Sequence, residues 1–362
     1  MKSYVVEKLS LERNIHLLRR RADGVTIWGV VKGDGYGLGC VSLARLLAAH
    51  GIDHFAVTDV AEARALREEG FTENPILMME GTCDPGEIDE LLDLNAILTV
   101  STPEDAERID RAAAARATVA EAHLKIDTGM GRYGFLPEQI EEVYRVYTDR
   151  EHIAVSGIYT HFYDACDRAA TEIQYDKFQR VVQEIQAAGY ETGMVHCCNS
   201  TAFWKYPHMH CDGVRLGSAL LGRVAFDGKT GLERVGWCQA ELEEIRTIPA
   251  GHTVGYGAGW RARRETRIAV LSVGYFNGFG VDRGFDLWRF SDCLRGVARY
   301  IKAFIRRKAL YVQVNGQPCR VLGHVGMVNM VIDVTGCDCA LGDMARVEIN
   351  PLLVKGMDIV YR

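Results

Sequence analysis

The segment Val30-Val31-Lys32-Gly33-Asp34-Gly35-Tyr36-Gly37-Leu38-Gly39 decides how the first half of the chain is read. An apolar strand, Val25 to Val31, runs into a lysine and then into a loop of alternating glycines. A doubly wound dinucleotide-binding sheet would carry a Gly-x-Gly-x-x-Gly turn after its first strand, and this loop lacks it. In a (β/α)8 barrel the carboxyl ends of the strands form the active-site face. A lysine placed there is partly desolvated, which lowers its pKa and lets its amine attack an aldehyde. Glycines let backbone approach a bulky ligand. The competing reading is a solvated lysine that merely closes a strand.

Working outward, His54 to Thr58, Pro75 to Met79, Ala96 to Val100, His123 to Ile126, Val155 to Thr160 and Met194 to Cys197 repeat the strand theme. Helical patterns such as Val41 to His50, Ala61 to Glu69, Pro103 to Ala115 and Glu172 to Ala188 lie between them. Strands that alternate with helices imply a parallel sheet with crossovers. After about residue 225 the texture changes. Glu241 to Ile248, Ile268 to Val273, Leu310 to Val314, Gln317 to Leu322, Val328 to Val334 and Met344 to Ile349 read as strands, separated by turns such as Asn315-Gly316. The expected fold is α/β plus β: a (β/α)8 TIM-type barrel over residues 8–225, then a mainly β domain over 226–362 that residues 1–7 could join.

One segment interrupts the β texture. From Phe285 to Lys308, Leu294, Val297, Ile301, Phe304 and Ile305 recur at helical spacing, with Arg295, Arg299, Lys302, Arg306, Arg307 and Lys308 on the other side. This reads as a surface helix packed on its own domain, with cations near its C-terminus where the dipole favours them. The alternative is a helix that meets a membrane surface or a partner.

The 362 residues carry a net charge of −6, which suggests neither nucleic acid nor an acidic membrane as the main partner. The 11 cysteines are scattered without a CxxC pair or zinc-like Cys/His spacing, so no metal site is expected. A disulfide framework belongs to small secreted chains, so free thiols and a cytoplasmic setting are expected. Met1 to Leu18 is charged, without an apolar signal core, and no stretch reaches the length of a transmembrane segment.

Further motifs follow the lysine loop in order: His123-Leu124-Lys125-Ile126-Asp127-Thr128-Gly129-Met130-Gly131-Arg132-Tyr133-Gly134-Phe135, Gly157-Ile158-Tyr159-Thr160-His161-Phe162, and His196-Cys197-Cys198-Asn199-Ser200. Val214-Arg215-Leu216-Gly217-Ser218-Ala219-Leu220-Leu221-Gly222, Val254-Gly255-Tyr256-Gly257-Ala258, Gly274-Tyr275-Phe276-Asn277-Gly278 and Gly323-His324-Val325-Gly326-Met327 complete the series. Over nearly its whole length the chain resembles the alanine racemases. The resemblance implies pyridoxal 5'-phosphate bound as a Schiff base to Lys32, racemisation of a small amino acid, and a homodimer with shared active sites. It gives Lys32 and Tyr256 of the partner subunit the roles of two bases on opposite faces of a planar intermediate, which racemisation requires. It places Arg215 at the pyridine nitrogen with His161 behind it. Because arginine keeps its proton, such a ring stays a weaker electron sink, which limits side reactions. Tyr36, Asn199, Ser200, Gly217 and Ser218 are implied around the cofactor. Arg132, Lys125, Met327 and Tyr275 are implied around the substrate, with Lys125 a candidate for carbamylation.

The match departs from the family pattern near the substrate. Leu38 stands where histidine is usual, Val328 where aspartate is common, Cys166 at an acidic position and Trp260 where tyrosine is frequent. An insertion follows Gly278, and Tyr361 is the one candidate for a late phosphate-binding tyrosine. These departures open the substrate to a serine or broad-specificity racemase. Two rivals remain: an amino-acid decarboxylase of the same cofactor fold, and a cofactor-binding regulator without turnover.

Overall fold

The computed structural model describes residues 1–226, 228–281, 290–305 and 309–362. The chain divides into two compact units, Lys8–Val235 and a second built from Met1–Glu7 with Gly236–Arg362. The division falls later than the 225/226 boundary set from texture.

After β1 (Lys2–Val6), the first unit carries strands β2 (Thr26–Val30), β3 (His54–Val57), β4 (Ile76–Met78), β5 (Leu98–Val100), β6 (Ala120–Lys125), β7 (Ile153–Tyr159), β8 (Met194–Cys198) and β9 (Gly213–Leu216). They pair in parallel in the order β4-β3-β2-β9-β8-β7-β6-β5. The ring closes where the Met78 N–H donates to the Ile97 carbonyl at 2.9 Å and the Ile97 N–H to that of Ile76 at 2.8 Å. The expected (β/α)8 barrel is therefore present. Short strands buried on both faces explain why β3, β4 and β5 read as mainly apolar runs without polar alternation. The helices start where the sequence supplies caps. Asp59, Asp84, Thr102 and Asp167 each accept a main-chain N–H of the first turn, and Pro85 and Pro103 take the first helical position.

Strand β9 was not read as a strand from its sequence. Its pattern Gly-Val-Arg-Leu places an arginine in the barrel interior, where a hydrophobic reading expects none. The segment after Lys32 also differs from a plain loop. Gly33, Asp34, Gly35 and Tyr36 all have positive φ, between 50° and 63°, so the chain makes one left-handed turn. Left-handed backbone is costly for residues with a Cβ, which accounts for two of the glycines. A Cβ on Gly33 would meet nothing within 4 Å, so its glycine answers to backbone hand rather than to crowding.

The second unit is antiparallel apart from one pair. It contains β1, β10 (Gly236–Ile248), β11 (Thr253–Val254), β12 (Trp260–Arg261), β13 (Thr266–Leu271), β14 (Tyr311–Val314), β15 (Gln317–Leu322), β16 (Met330–Asp333), β17 (Met344–Val347) and β18 (Asp358–Tyr361). Its main sheet runs β13-β16-β15-β14-β17-β10-β1-β18, and β10 pairs β13 as well, which closes six strands on themselves. A register shift between Leu242 and Glu244 lets the long β10 serve both neighbours. Residues 1–7 supply β1, which pairs antiparallel with β10 and parallel with β18, where Tyr361 lies opposite Val6. Strand β10 begins at Gly236, earlier than the expected Glu241.

The basic amphipathic segment forms a helix, Phe290–Ile305. Residues 285–289 and 306–308 of that expectation, Arg306, Arg307 and Lys308 among them, lie outside the described residues. No helix among the described residues is long and apolar enough to cross a membrane.

Candidate active site

A cavity of about 260 Å³ opens at the carboxyl end of the barrel. Lys32, two residues beyond β2, lines it together with Tyr36, Lys125, Arg132, His161, Asn199, Ser200, Arg215, Gly217 and Ser218. Residues scattered over nearly two hundred positions thus meet because each follows or ends a barrel strand. Lys32 is held below the ordinary lysine range, first by burial and then by the charge of Arg132. A larger share of its amine is therefore unprotonated and nucleophilic.

Arg215 on β9 is buried and pinned. One terminal nitrogen donates to His196 Nδ1 at 2.8 Å and to the His196 carbonyl at 3.1 Å. The other donates to the carbonyls of Thr160 at 2.7 Å and Cys197 at 3.3 Å. Its guanidinium carbon stands 5.0 Å from the centre of the Tyr159 ring, which stacks on His196. Because arginine only donates, His196 Nδ1 must accept, so its proton sits on Nε2. That Nε2 lies 2.9 Å from His123 Nδ1. Burial and the Arg215 charge push His123 down to about 3, and His196 is lowered for the same first reason. Both rings are neutral, and the Arg215–His196–His123 chain has one direction of donation. The imidazole bonded to Arg215 is thus His196, whereas the resemblance put His161 behind that arginine. His161 lines the cavity itself and is pushed to about 3 by burial and by Arg215. His196 stood in a quoted motif, but only its place on β8, two strand positions before Cys198, aims it at β9.

Lys125, at the end of β6, is buried rather than a surface lysine. It donates to the Met79 carbonyl at 2.9 Å. Burial and then Arg215 bring its pKa down to about 7. Arg132 follows a loop that Asp127 organises: its carboxylate accepts the N–H groups of Gly129, Met130 and Gly131 at 2.7 to 3.1 Å. Glu80, Thr58 and Met79 also line the cavity, and sequence reading did not find them. Among the lining side chains Glu80 is the one carboxylate against Lys32, Lys125, Arg132 and Arg215.

The residues suit pyridoxal phosphate. A Cβ on Gly217 would come within 2.2 Å of the Tyr36 hydroxyl, so the two close one wall of a cradle that only glycine leaves open. Ser200 Oγ accepts the N–H groups of Gly217 and Ala219 at 3.2 Å each, which leaves its own proton to donate. Burial lifts the Tyr36 hydroxyl to about 12, so it remains a donor. Two hydroxyl donors, an arginine and a desolvated lysine match an anionic phosphate, a ring acceptor and an aldehyde.

Three expected residues belong to the second unit. Tyr256 lies on a turn at 80% exposure, and Tyr275 and Met327 are exposed as well. The Tyr275 N–H donates to the Gly326 carbonyl at 3.1 Å and the Phe276 N–H to that of Met327 at 3.0 Å. A Cβ on Gly255 would meet the His324 N at 2.9 Å. All three residues therefore gather around the 323–327 loop, which sequence spacing did not reveal. At the departing positions, Leu38 is buried, and the exposed Cys166 lies 3.4 Å from the Ala225 carbonyl.

This geometry defines a barrel protein whose cavity pairs a desolvated amine with buried basic side chains. The alanine racemase N-terminal domain model matches residues 6–224 and the C-terminal domain model residues 235–350, and the chain belongs to the alanine racemase family. An alanine racemase of Desulforamulus reducens is 31% identical over 362 residues, covering 97% of this chain and 89% of its own length. Alanine racemase 1 of Oceanobacillus iheyensis is 32% identical over 319 residues, covering 85% and 77%. Among solved structures, an alanine racemase of Clostridium difficile 630 superposes with a TM-score of 0.85 at 24% identity, covering 100% of this chain and 95% of its own. That of a D-cycloserine-producing Streptomyces lavendulae gives 0.84 at 24%, covering 100% and 97%, and both establish the fold.

Proposed function

We propose that this chain racemises a small amino acid, L-alanine to D-alanine foremost, as a pyridoxal-phosphate enzyme in a homodimer with shared active sites. The observation that carries the reading is the meeting of Lys32, Tyr36, Ser200 and Arg215 around one cavity in a chain of this family. The cofactor, when bound, supplies an aldehyde that captures amines and a conjugated ring that accepts the electron pair left by the α-proton. Tyr36, Ser200, Gly217 and Ser218 would hold its phosphate, with Asn199 and His161 beside it. Arg215 would take the ring-nitrogen side. Held by its four acceptors, it offers a hydrogen bond and withholds a proton.

Lys32 holds or returns the α-proton on one face, helped by burial that keeps its amine partly neutral. Tyr256 of the partner subunit serves the opposite face. Arg132 grips the substrate carboxylate through its two-pronged donor edge, with the Met327 N–H and Tyr275 completing that side. Lys125, near neutrality in its pKa, supplies the free amine that carbamylation needs, and the resulting anion would orient Arg132. A cytoplasmic setting accords with the cysteine usage. The departures at Leu38, Cys166 and Val328 leave serine or a broader set as the second substrate reading.

The test is incubation of the purified protein, with cofactor, against separate L-amino acids in deuterium oxide. Chiral chromatography with mass detection follows both enantiomers. A yellow protein that forms α-deuterated D-alanine or D-serine supports racemisation and names the substrate. A yellow protein that releases carbon dioxide instead is a decarboxylase, and one without turnover on any amino acid is a regulator.

A further inference from the structure

Glu80 is the acid of the cavity, and the function proposed above gives it no role. Strand β4 ends at Met78, and its exit is pinned. The Thr99 hydroxyl donates to the Met78 carbonyl at 2.6 Å, while the Tyr159 hydroxyl at 2.8 Å and the Lys125 amine at 2.9 Å donate to that of Met79. Glu80 follows at once. A carbonyl oxygen lies about 2.8 Å from the next Cα across a trans peptide, so the Lys125 amine stands within roughly 6 Å of the Glu80 Cα. Both side chains line the same cavity, and Glu80 is half-buried. Among the described residues its carboxylate has no hydrogen bond or ion pair.

The surroundings of the Lys125 amine pull two ways. The Met79 carbonyl, the ring faces of Tyr133 and Tyr159 at 5.0 and 5.1 Å, and the Glu80 carboxylate favour an ammonium. Burial, then Arg215 and Arg132, oppose it and bring its pKa down to about 7, with Glu80 the one charge that resists them. A carbamate would reverse the electrostatic preferences. It forms when the free amine adds to carbon dioxide: a nitrogen–carbon bond closes, one carbon–oxygen π pair moves onto oxygen, and the nitrogen's proton leaves to solvent. The product is an anion, which Arg132 and Arg215 attract and Glu80 repels. Glu80 therefore acts twice in one direction. It lowers the share of free amine, and it disfavours the anion that the amine becomes.

We propose that Glu80 acts through Lys125 as a positioning residue, holding it in the amine form and setting how much carbon dioxide it takes up. The inference rests on the carbamylation reading of Lys125. The test is carbon-13 NMR of the whole protein in labelled bicarbonate at fixed pH, where a carbamate gives its own carbonyl resonance and Lys125→Arg assigns it by removing it. Glu80→Gln should lower the carbon dioxide concentration for half-occupancy by roughly tenfold, the equivalent of about one pKa unit for one nearby carboxylate. Glu80→Asp should return it to near the parent value. A second readout separates charge from packing: the pH midpoint for arylation of Lys125 by fluorodinitrobenzene, followed by peptide mass in buffer free of carbon dioxide. It should fall in Glu80→Gln, whereas a variant that merely admitted water would raise it, because hydration favours the ammonium. A carbamate signal that Glu80→Gln leaves unmoved or weakens overturns the inference and leaves the carbamylation reading standing, and so does a midpoint that stays or rises. No signal in parent or variant overturns both.

Discussion

Tyr159 in the barrel and Tyr256 in the β unit are the same side chain in opposite circumstances. Tyr159 is 1% exposed, its hydroxyl lies 2.8 Å from both Thr99 Oγ1 and the Met79 carbonyl, and its ring stacks on His196. Tyr256 stands on a solvent-facing turn. The barrel immobilises its functional groups by burial and hydrogen bonds of its own. The β unit leaves Tyr256, Tyr275 and Met327 exposed around the 323–327 loop. One unit therefore carries the cost of a preorganised polar interior, and the other presents its polar tips to solvent at little cost to its stability.

The sharpest way to break this comparison is to remove the barrel's amine. Lys32→Ala should leave the protein colourless with pyridoxal phosphate and lower turnover by at least about a thousandfold. A yellow, active variant would remove the barrel cavity from the chemistry. Tyr256→Phe should lower turnover by roughly 10²- to 10⁴-fold. If the sites are shared, refolding a mixture of the two inactive variants restores activity through hybrid dimers. No recovery would place both bases in one subunit.

Acid should act on the barrel first. His123 and His161 are held at about 3, mainly by burial, against an ordinary 6.5. The unfolded chain takes up these protons below about pH 6.5 and the folded chain does not, so stability falls as the pH drops from about 6.5 to about 3. Each imidazole contributes a slope of up to about 1.4 kcal/mol per pH unit. Denaturant titrations across that range should show His123→Gln with a shallower fall, and parallel curves would contradict the buried neutral relay. The smallest effect separates the two tyrosines. Tyr159→Phe should cost about 1–3 kcal/mol by leaving buried partners unsatisfied, and Tyr256→Phe should leave the melting temperature unchanged. Equal shifts would mean that the turn is less independent than its exposure implies.

Much of this was legible in the sequence where a local rule had only one tenant. Apolar runs marked the barrel strands, whereas the start of the helix Arg168–Ala187 was set at Glu172 because its Asp167 cap was not read. Strand β9 escaped because its central arginine serves the site rather than the core. The glycines after Lys32 were visible, but their cause was assigned to ligand approach, whereas φ values at Gly33 and Gly35 record a reversal of hand. His196 and Glu80 escaped for another reason. Their importance lies in contacts across strands, which no spacing along the chain encodes. The helix at 290–305 was legible as an amphipathic element, but the exposure of its apolar side chains was not, because periodicity does not say what a face packs against.

The lining of the cavity, four basic side chains against the Glu80 carboxylate, has a consequence for the stability of the chain. Burial first, and neighbouring guanidinium charge after it, already holds Lys32 and Lys125 below the ordinary lysine range. Any anion that occupies the cavity selects the native state and adds its binding free energy to folding. The midpoint of thermal unfolding then depends on the concentration of that anion, so the same chain has no single stability until its ligand is specified.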